Sequence, residues 1–322
     1  NNTTHRPATI QRIRIGATRD GKIVAIGHDN WSGDLNGNNA EAGVIYSRPL
    51  YAGANRMSST RLATLDMPEA NAMRAPSDTP GSMAVEIAMD EMAEKLGLDP
   101  VEFRVMNDSQ VDPEKPERPY SQRHLKECLV QGAQRFGWDQ RNASPAARRE
   151  GDWLIGMGVA GAFRDGPVTQ SAARVRLDAD GRLTVETDMT DIGTGSYTII
   201  GQTAAEMLGV PLERVSVKLG DSSYPVSSGS GGQWGANSST SGVYAACVQL
   251  REKIARKLGF DPARAVFENG EVLQDGKRAT LAEAAADTTL EAEDSIEFGD
   301  LNKRYRISTF GAHFVEVAVH AA

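Results

Sequence analysis

Side chains that bind metal ions or form disulfide bonds are scarce in this 322-residue sequence, which has two cysteines and five histidines. Cys128 and Cys247 are far apart and form no CxxC motif, so we predict that both are small core residues. No two histidines have the HxH or HxxxH spacing of a zinc site. We therefore expect no metal ion bound directly by this chain, and any metal would be carried by a cofactor.

Long apolar runs and an excess of positive charge are also lacking. No stretch approaches the roughly 20 apolar residues of a membrane-spanning helix, and the formal net charge is -8. An acidic chain of this kind is not expected to bind nucleic acid or an anionic membrane surface. The last residues, FVEVAVHAA, alternate like a strand that needs a continuation, which suggests part of a longer polypeptide.

Glycine, serine and threonine are instead concentrated in one stretch, which runs from Asp221 to Gly242. A strand pattern precedes it and a helical pattern follows from Val243, which together predict a strand-to-helix loop. Glycines let backbone N–H groups approach a ligand, and a helix N-terminus attracts anions. The loop could therefore hold an anionic ligand. A flexible linker has a similar composition, but Trp234 argues against that alternative.

A second glycine turn, DIGTG at Asp191 to Gly195, also lies between a predicted strand and a predicted helix. Tight turns need glycine for steric reasons alone, so this motif by itself could be structural. Two such turns at equivalent strand ends could converge on one anionic ligand. The GxGxxG motif at Gly156 to Gly161 opens no helix, and we interpret it as a glycine-rich strand rather than a dinucleotide site.

Two arginines lie in loops that are stiffened or flanked by small residues. Arg74 lies in AMRAPSDTPG, just before a predicted helix, where prolines could hold it for a polar contact. Arg164 follows Phe163 between two glycines. The structural alternatives are core packing for Phe163 and a surface ion pair between Arg164 and Asp165.

The predicted elements indicate an α+β fold with mixed sheets, hairpins and packed helices. Hairpins are expected at the turns that begin with Asp20 and Asp180, and Thr79 is the predicted cap of a helix that begins at Pro80. Trp31 to Asn55 is expected to be irregular. The charged segment RNASPAARREGD suggests a boundary between two regions, residues 1–145 and 150–322.

Three segments resemble the xanthine dehydrogenase and aldehyde oxidase family. They are AMRAPSDTPGSMAVEIAMDEMAEKLGLDPVEFRVMN, the turn TDIGTG, and the loop SGSGGQWGANSSTSGVYAAC. The resemblance covers nearly the whole chain, with the motifs in the same order. The sequences of the two turns are most similar to those of bacterial aldehyde oxidoreductases of the periplasmic type. The chain is thereby identified as an internal fragment of a molybdopterin-binding large subunit.

The resemblance implies a fold of the molybdenum-hydroxylase cofactor-binding type and an intact enzyme that oxidises aldehydes. It implies molybdopterin cytosine dinucleotide with molybdenum, although an isolated fragment could bind none. Implied partners are the iron-sulfur and FAD subunits of a heterotrimer and a small aldehyde, with a periplasmic location, or a cytoplasmic one as the alternative. The family's general base is a glutamate in a GxGE segment that this sequence lacks, so these residues alone are expected to be inactive.

The resemblance also assigns site residues by position. Arg74 corresponds to the arginine near molybdenum, and Phe163 and Arg164 correspond to the substrate pocket. The cofactor-binding positions are Ile192, Gly193, Thr194, Gly232, Gln233, Trp234, Gly235 and Ala236. Two residues depart from the family pattern. Thr194 stands where many members have glutamine, and Pro76 replaces an aromatic residue of the purine-oxidising members, which favours aldehydes as substrates.

The alternative function is a noncatalytic binding or assembly module, or a cofactor-free domain, of the same fold.

Overall fold

The computed structural model describes residues 4–321, which form two compact units. The first unit contains the chain up to Asp165 and again from Lys303, and the second contains Gly166–Asn302. These bounds differ from the two regions expected from the sequence, 1–145 and 150–322, because the last strand pairs with the strand that begins at Trp153. Residues 1–3 and 322 of those regions lie outside the described residues.

The strands are β1 (Thr9–Ala17), β2 (Ile23–Asp34), β3 (Asn55–Thr64), β4 (Arg148–Glu150), β5 (Trp153–Asp165), β6 (Ala172–Leu177), β7 (Leu183–Thr187), β8 (Val215–Leu219), β9 (Val266–Glu268), β10 (Glu271–Gln274), β11 (Lys277–Thr280), β12 (Leu290–Ser295) and β13 (Ser308–His320). The α-helices are α1 (Val44–Ser47), α2 (Asp78–Leu96), α3 (Pro100–Met106), α4 (Leu125–Phe136), α5 (Ser196–Leu208), α6 (Gly232–Lys257), α7 (Leu281–Ala285) and α8 (Leu301–Arg304).

The first unit contains two three-stranded sheets, β1-β2-β3 and β13-β5-β4, with α1 to α4. The predicted hairpin at Asp20 is confirmed as antiparallel β1 and β2, whereas β3 runs parallel to β2. The expectation of an irregular passage from Trp31 to Asn55 was wrong in part, because β2 continues to Asp34 and α1 forms within it. The GxGxxG motif lies in β5, as expected of a glycine-rich strand.

Helix α2 begins earlier than predicted. It starts at Asp78 with Ser77 as its N-cap, so the prediction of a Thr79 cap was wrong. The Thr79 hydroxyl instead donates to the carbonyl oxygens of Arg74 and Ala75, at 3.2 Å each. The helix ends at Gly97, which has the left-handed conformation that favours glycine at this position.

The second unit packs α5 and α6 against a four-stranded sheet of order β12-β6-β7-β8. All five residues of β7 are buried, although Thr184, Glu186 and Thr187 are polar. Glu186 is accommodated by ion pairs with Arg174 and Arg176 of β6. The predicted hairpin at Asp180 is confirmed as β6 and β7. Cys247 lies in this core as predicted, whereas Cys128, in the first unit, is only half-buried.

No helix among residues 4–321 combines the length and the apolarity that crossing a membrane requires.

His28 provides a prediction about the pH dependence of stability. Its ring is fully buried on β2, with Nδ1 3.0 Å from Ser47 Oγ and Nε2 2.9 Å from Gln11 Oε1. Burial lowers the pKa of His28 from 6.5 to about 4, and Asp29 opposes this shift. Because the folded state disfavours the protonated ring, its stabilisation is complete above pH 6.5 and is lost as the pH falls towards 4.

We therefore expect the free energy of unfolding, measured by urea denaturation between pH 7 and 4, to fall in this window. Part of that fall should disappear in His28→Gln. The exposed His124 offers a matched control, and His124→Gln should leave the fall unchanged. Identical profiles for all three proteins would contradict the assignment to His28.

Candidate functional site

The DIGTG turn immediately precedes α5 and is organised by its own aspartate. One Asp191 carboxylate oxygen accepts the N–H groups of Gly193 at 2.7 Å and Thr194 at 3.0 Å. These backbone hydrogen bonds, led by that of Gly193, lower the pKa of Asp191. Gly193 and Gly195 have φ angles of 92° and 78°, so the turn requires glycine at both positions.

The DIGTG turn therefore does not present all of its N–H groups to a ligand. Two of its amides already donate to Asp191, whereas the side chains of Ile192 and Thr194 are exposed at its surface. An added Cβ at Gly193 or Gly195 would meet no described atom within 4 Å. The open space beside these glycines lets a ligand approach the backbone closely.

The serine-rich stretch is more helical than predicted. Helix α6 begins at Gly232 instead of Val243, so the predicted cofactor loop from Gly232 to Ala236 forms its first turn and a half. Its serine hydroxyl groups are satisfied within the helix, because they donate to carbonyl oxygens four residues earlier. The hydroxyl of Ser239 donates to Gly235 at 2.6 Å, and that of Ser241 donates to Asn237 at 2.8 Å.

No side chain among residues 4–321 caps the N-terminus of α6. Its N-cap is Gly231, and the first turn contains no acidic residue. The first amides of a helix carry partial positive charge and need acceptors from elsewhere. The backbone N–H groups of Gly232 and Trp234, in this first turn, are thus oriented as donors to an anion.

Trp234 folds the loop that precedes α6. Its indole N–H donates to the carbonyl of Ser228 at 3.4 Å, and its ring occupies the space where a side chain at position 231 would lie. This packing contradicts the flexible-linker alternative, because the ring fixes the loop against the helix.

The two glycine turns lie side by side. Ser230 Oγ accepts the Thr190 N–H at 2.6 Å and lies 2.9 Å from Thr190 Oγ1. Asp188 Oδ1 accepts the Ser227 N–H at 2.7 Å. The two turns are therefore adjacent, whereas their convergence on one anionic ligand stays a prediction. The joining residues were missed from the sequence, although they directly flank both motifs.

In the first unit, a cavity of about 350 Å³ brings together Ala75, Phe163 and Arg164. Arg164 forms an ion pair with Asp78 at the start of α2, so the interpretation that pairs it with Asp165 was wrong. Asp165 instead accepts from Arg306. Burial lowers the pKa of Arg164, and the neighbouring carboxylate of Asp165 opposes this shift.

Phe163 contributes to the core as well as to the cavity. It is 7% exposed, and its ring packs edge-to-face on Tyr120, with the ring centroids 6.2 Å apart. Core packing and a role in the pocket are therefore compatible. Pro76 lies elsewhere, because it lines a second, polar cavity of about 300 Å³ that also contains Glu41.

Arg74 lies in a strained loop, directly before Ala75 of the first cavity and two residues before Pro76 of the second. Its φ angle is 27°, and those of Ala75 and Ser77 are 54° and 65°. Residues with a Cβ rarely adopt this left-handed region, and each one costs on the order of 1–3 kcal/mol. Surrounding contacts must therefore hold the loop in place.

A buried network of ionised and hydroxyl groups supports the 350 Å³ cavity. Glu86 is 6% exposed and accepts from Tyr51 Oη at 2.9 Å, Arg104 Nε at 2.8 Å and the Gly161 N–H at 2.8 Å. The Gly161 carbonyl accepts from Tyr46 Oη at 2.9 Å. Burial, the largest effect, raises the pKa of Glu86, whereas Arg104 opposes the rise.

The acceptor positions of Glu86 are thus occupied, which suits an anchor for β5 better than a proton acceptor. The sequence analysis missed this residue. A signal was available, because Glu86 shares the buried face of α2 with the apolar residues Met89 and Ala93.

Among the described residues, no group of three or more His, Cys, Asp or Glu side chains is arranged to hold a metal ion.

Comparisons with known proteins identify the type of ligand. A family model described as a molybdopterin cofactor-binding domain matches residues 131–322, and a second with the same description matches residues 1–108. The chain is 63% identical over all 322 residues to the aldehyde oxidoreductase molybdenum-binding subunit PaoC of Escherichia coli K12. It is 31% identical over 225 residues to the xanthine dehydrogenase molybdenum-binding subunit of Escherichia coli O157:H7.

The chain covers 44% of PaoC and 29% of the xanthine dehydrogenase subunit, so it spans less than half the length of these relatives. The xanthine dehydrogenase match includes 63% of this chain.

Solved structures show the same fold. Quinoline 2-oxidoreductase from Pseudomonas putida 86 superposes with a TM-score of 0.83 at 21% identity, over 100% of this chain and 46% of that one. The aldehyde oxidoreductase of Desulfovibrio desulfuricans gives a TM-score of 0.71 at 22% identity, over 98% and 35% of the two chains. The expected α+β cofactor-binding fold is confirmed. Because the family models match both parts of the sequence, the chain belongs to the molybdopterin cofactor-binding domains of the xanthine dehydrogenase and aldehyde oxidase family.

Proposed function

We propose that these residues form the cofactor-binding part of the molybdenum-binding subunit of an aldehyde oxidoreductase, which converts aldehydes and water to carboxylic acids. The 63% identity to PaoC over the whole chain supports the choice of aldehydes. The observation that carries the proposal is the joining of two glycine turns, at the starts of α5 and α6, by Ser230 and Thr190.

The residues of this site fit an anionic pterin cofactor. Open space lies beside Gly193 and Gly195, and the first amides of α6 lack a side-chain cap among the described residues. In the proposed complex, the N–H groups at the start of α6, those of Gly232 and Trp234, donate to the phosphate oxygens, and the exposed Thr194 hydroxyl contacts the cofactor's edge. When bound, the cofactor supplies the two-electron oxidation of the substrate.

In the first unit, the proposed role of Phe163 and Arg164 is to orient the aldehyde. The apolar ring of Phe163 excludes water, and the Arg164 guanidinium, which is held by Asp78, donates to an oxygen atom of the substrate. The roles of Arg74 near molybdenum and of Pro76 in substrate preference remain predictions from the family pattern.

Three finer features belong to the same proposal. The pterin is the cytosine dinucleotide form, the subunit assembles with iron-sulfur and FAD subunits into a heterotrimer, and the enzyme is periplasmic. The similarity to PaoC, which is named as a molybdenum-binding subunit, supports assembly with further subunits, and the nucleotide form and the periplasmic location rest on the family resemblance of the two turns. Mass spectrometry of the purified complex would identify the nucleotide and the subunits.

Cofactor content tests the proposal directly. In the full-length protein that contains this sequence, Gly193→Val is expected to reduce molybdenum and pterin to a minor fraction of the wild-type content. The valine side chain would fill the open space at the turn and would strain a φ angle of 92°. Molybdenum is measured by elemental analysis, and pterin by fluorescence after oxidative release.

Gly259→Val is the matched control. Gly259 has a φ angle of 76° and equally open surroundings, but it follows the opposite end of α6. Normal molybdenum content in both variants would contradict the two-turn site. A wild-type protein that lacks molybdenum and pterin would instead favour the noncatalytic binding module.

A further inference from the structure

The left-handed loop before α2 is held by a residue far away in the sequence. Arg6 Nη2 donates to the carbonyl oxygens of Met73 and Arg74. Its Nη1 donates to the carbonyl of Ala75 at 3.4 Å. One guanidinium group therefore binds three consecutive carbonyl oxygens. Such convergence fits the left-handed conformation, because consecutive residues with positive φ direct their carbonyl groups to the same side.

Glu41 holds the other half of the loop. Its carboxylate oxygen Oε1 accepts the Ser77 N–H at 2.6 Å and also lies 3.2 Å from Arg6 Nη1. Glu41 is 8% exposed, so these hydrogen bonds are largely shielded from water. In addition, the Ala42 N–H donates to the Ser77 hydroxyl at 3.3 Å. The ion pair thus contacts the backbone at residues 73 to 75 and at Ser77.

The hydrogen bonds that Thr79 makes within the loop could not hold its carbonyl oxygens as firmly as the Arg6–Glu41 ion pair does. Thr79 Oγ1 is 3.2 Å from the carbonyl oxygens of both Arg74 and Ala75, so its single proton is shared between two acceptors. A guanidinium offers five donors in a fixed plane and makes stronger, charge-assisted hydrogen bonds. Arg6 is the residue best suited to keep the carbonyl groups together.

We propose that Arg6 and Glu41 are a positioning pair that fixes the loop carrying Arg74 beside the substrate cavity. This inference rests on the proposed function, because Ala75 of the same loop lines the cavity with Phe163 and Arg164. Neither member of the pair is assigned a contact with the substrate or the cofactor. The pair sets where the Arg74 backbone lies, and therefore where its side chain begins.

The hydrogen bonds from Arg6 and Glu41 to the loop are called the clamp below. Hydrogen–deuterium exchange of the full-length holoenzyme tests the clamp without relying on activity. In Arg6→Ala and Glu41→Gln, the hydrogen-bonded amides of Ser77, Asp78 and Thr79 are expected to exchange at least about tenfold faster than in the wild type, because a charged hydrogen bond that holds the loop is lost. Arg14→Ala is the matched control. Arg14 forms an arginine–carboxylate ion pair with Asp29, at 2.9 Å, on the β1–β2 hairpin that lies between Arg6 and Glu41 in the sequence. Unchanged exchange in both Arg6→Ala and Glu41→Gln would overturn the clamp.

Aldehyde turnover tests the positioning role. We expect kcat/KM to fall roughly five- to tenfold in Arg6→Ala at normal molybdenum content, with a smaller loss in Arg6→Lys, which keeps the charge but loses the planar fork. Arg14→Ala should keep wild-type turnover. Faster exchange with unchanged turnover in Arg6→Ala, while Arg74→Ala is impaired, would overturn the positioning role. If Arg74→Ala is also fully active, the site assignment of Arg74 fails, and with it the positioning role, whereas the exchange rates still decide the clamp.

Discussion

Glu86→Ala is expected to lower the free energy of unfolding of the first unit by roughly 3–5 kcal/mol, because it removes one partner of a buried ion pair. The Arg104 side chain is fully buried, and its Nε donates to Glu86 at 2.8 Å. Without the carboxylate, this guanidinium loses its buried partner, and the Tyr51 hydroxyl and the Gly161 N–H lose an acceptor. Native-state hydrogen exchange of the α2 and β5 amides would measure the loss.

Asp90→Asn is the matched control for this prediction. Asp90 forms the other ion pair of Arg104, at 2.7 Å, but its side chain is 45% exposed and it has no hydrogen bond to β5. We expect Asp90→Asn to cost no more than about 1 kcal/mol, because the asparagine amide oxygen can still accept from Arg104 Nη1 and Glu86 still pairs with the guanidinium. Equal losses in Glu86→Ala and Asp90→Asn would show that the contact between Glu86 and Gly161 is unimportant.

Gly242→Ala has the second-largest expected effect, a destabilisation of the second unit by about 1–3 kcal/mol, although alanine normally favours a helix. A Cβ at position 242 would lie 2.3 Å from the carbonyl oxygen of Ser171. This obstacle is backbone rather than a mobile side chain, so α6 and the start of β6 must separate. Because the same helix begins at the proposed cofactor site, molybdenum content should fall as well.

Gly201→Ala provides the comparison within the same unit. Gly201 also lies inside a helix, α5, but its Cβ would meet only the tips of Leu212 and Val217, at 3.1 and 3.5 Å. These flexible ends can move, so the change should lie within about 1 kcal/mol of the wild type in urea unfolding. If Gly242→Ala were as stable as Gly201→Ala, the close contact between α6 and Ser171 would not be a constraint.

Local signals in the sequence predicted the elements that depend on neighbouring residues. The DIGTG turn, the hairpins and the glycine end of α2 each follow from a few adjacent side chains. The start of α6 could not be predicted in this way, because serine, threonine and glycine are weak helix formers. Burial of Ser239 and the close approach at Gly242 favour the helix, and both depend on tertiary packing.

Long-range contacts account for the remaining differences. The hydrogen bond from Gly161 to Glu86 joins residues 75 positions apart, and those from Arg6 to the Arg74 loop join residues 67 to 69 positions apart. An acidic residue on the apolar face of a helix can signal a buried partner, but it cannot identify that partner. The bounds of the two units likewise depend on the pairing of β13 with β5, which no local pattern indicates.

The anchoring of β5 also has a consequence for association between molecules. Within the described residues, β4 covers one edge of β5 only along Trp153–Ile155, and β13 occupies the other edge. An uncovered strand edge invites pairing with a strand of another molecule, which is a common route to aggregation. At the buried Gly161, the amide donates to Glu86 and the carbonyl accepts from Tyr46, so both backbone groups on this edge are already paired. The same side chains that shape the cavity thereby block intermolecular strand pairing at this position.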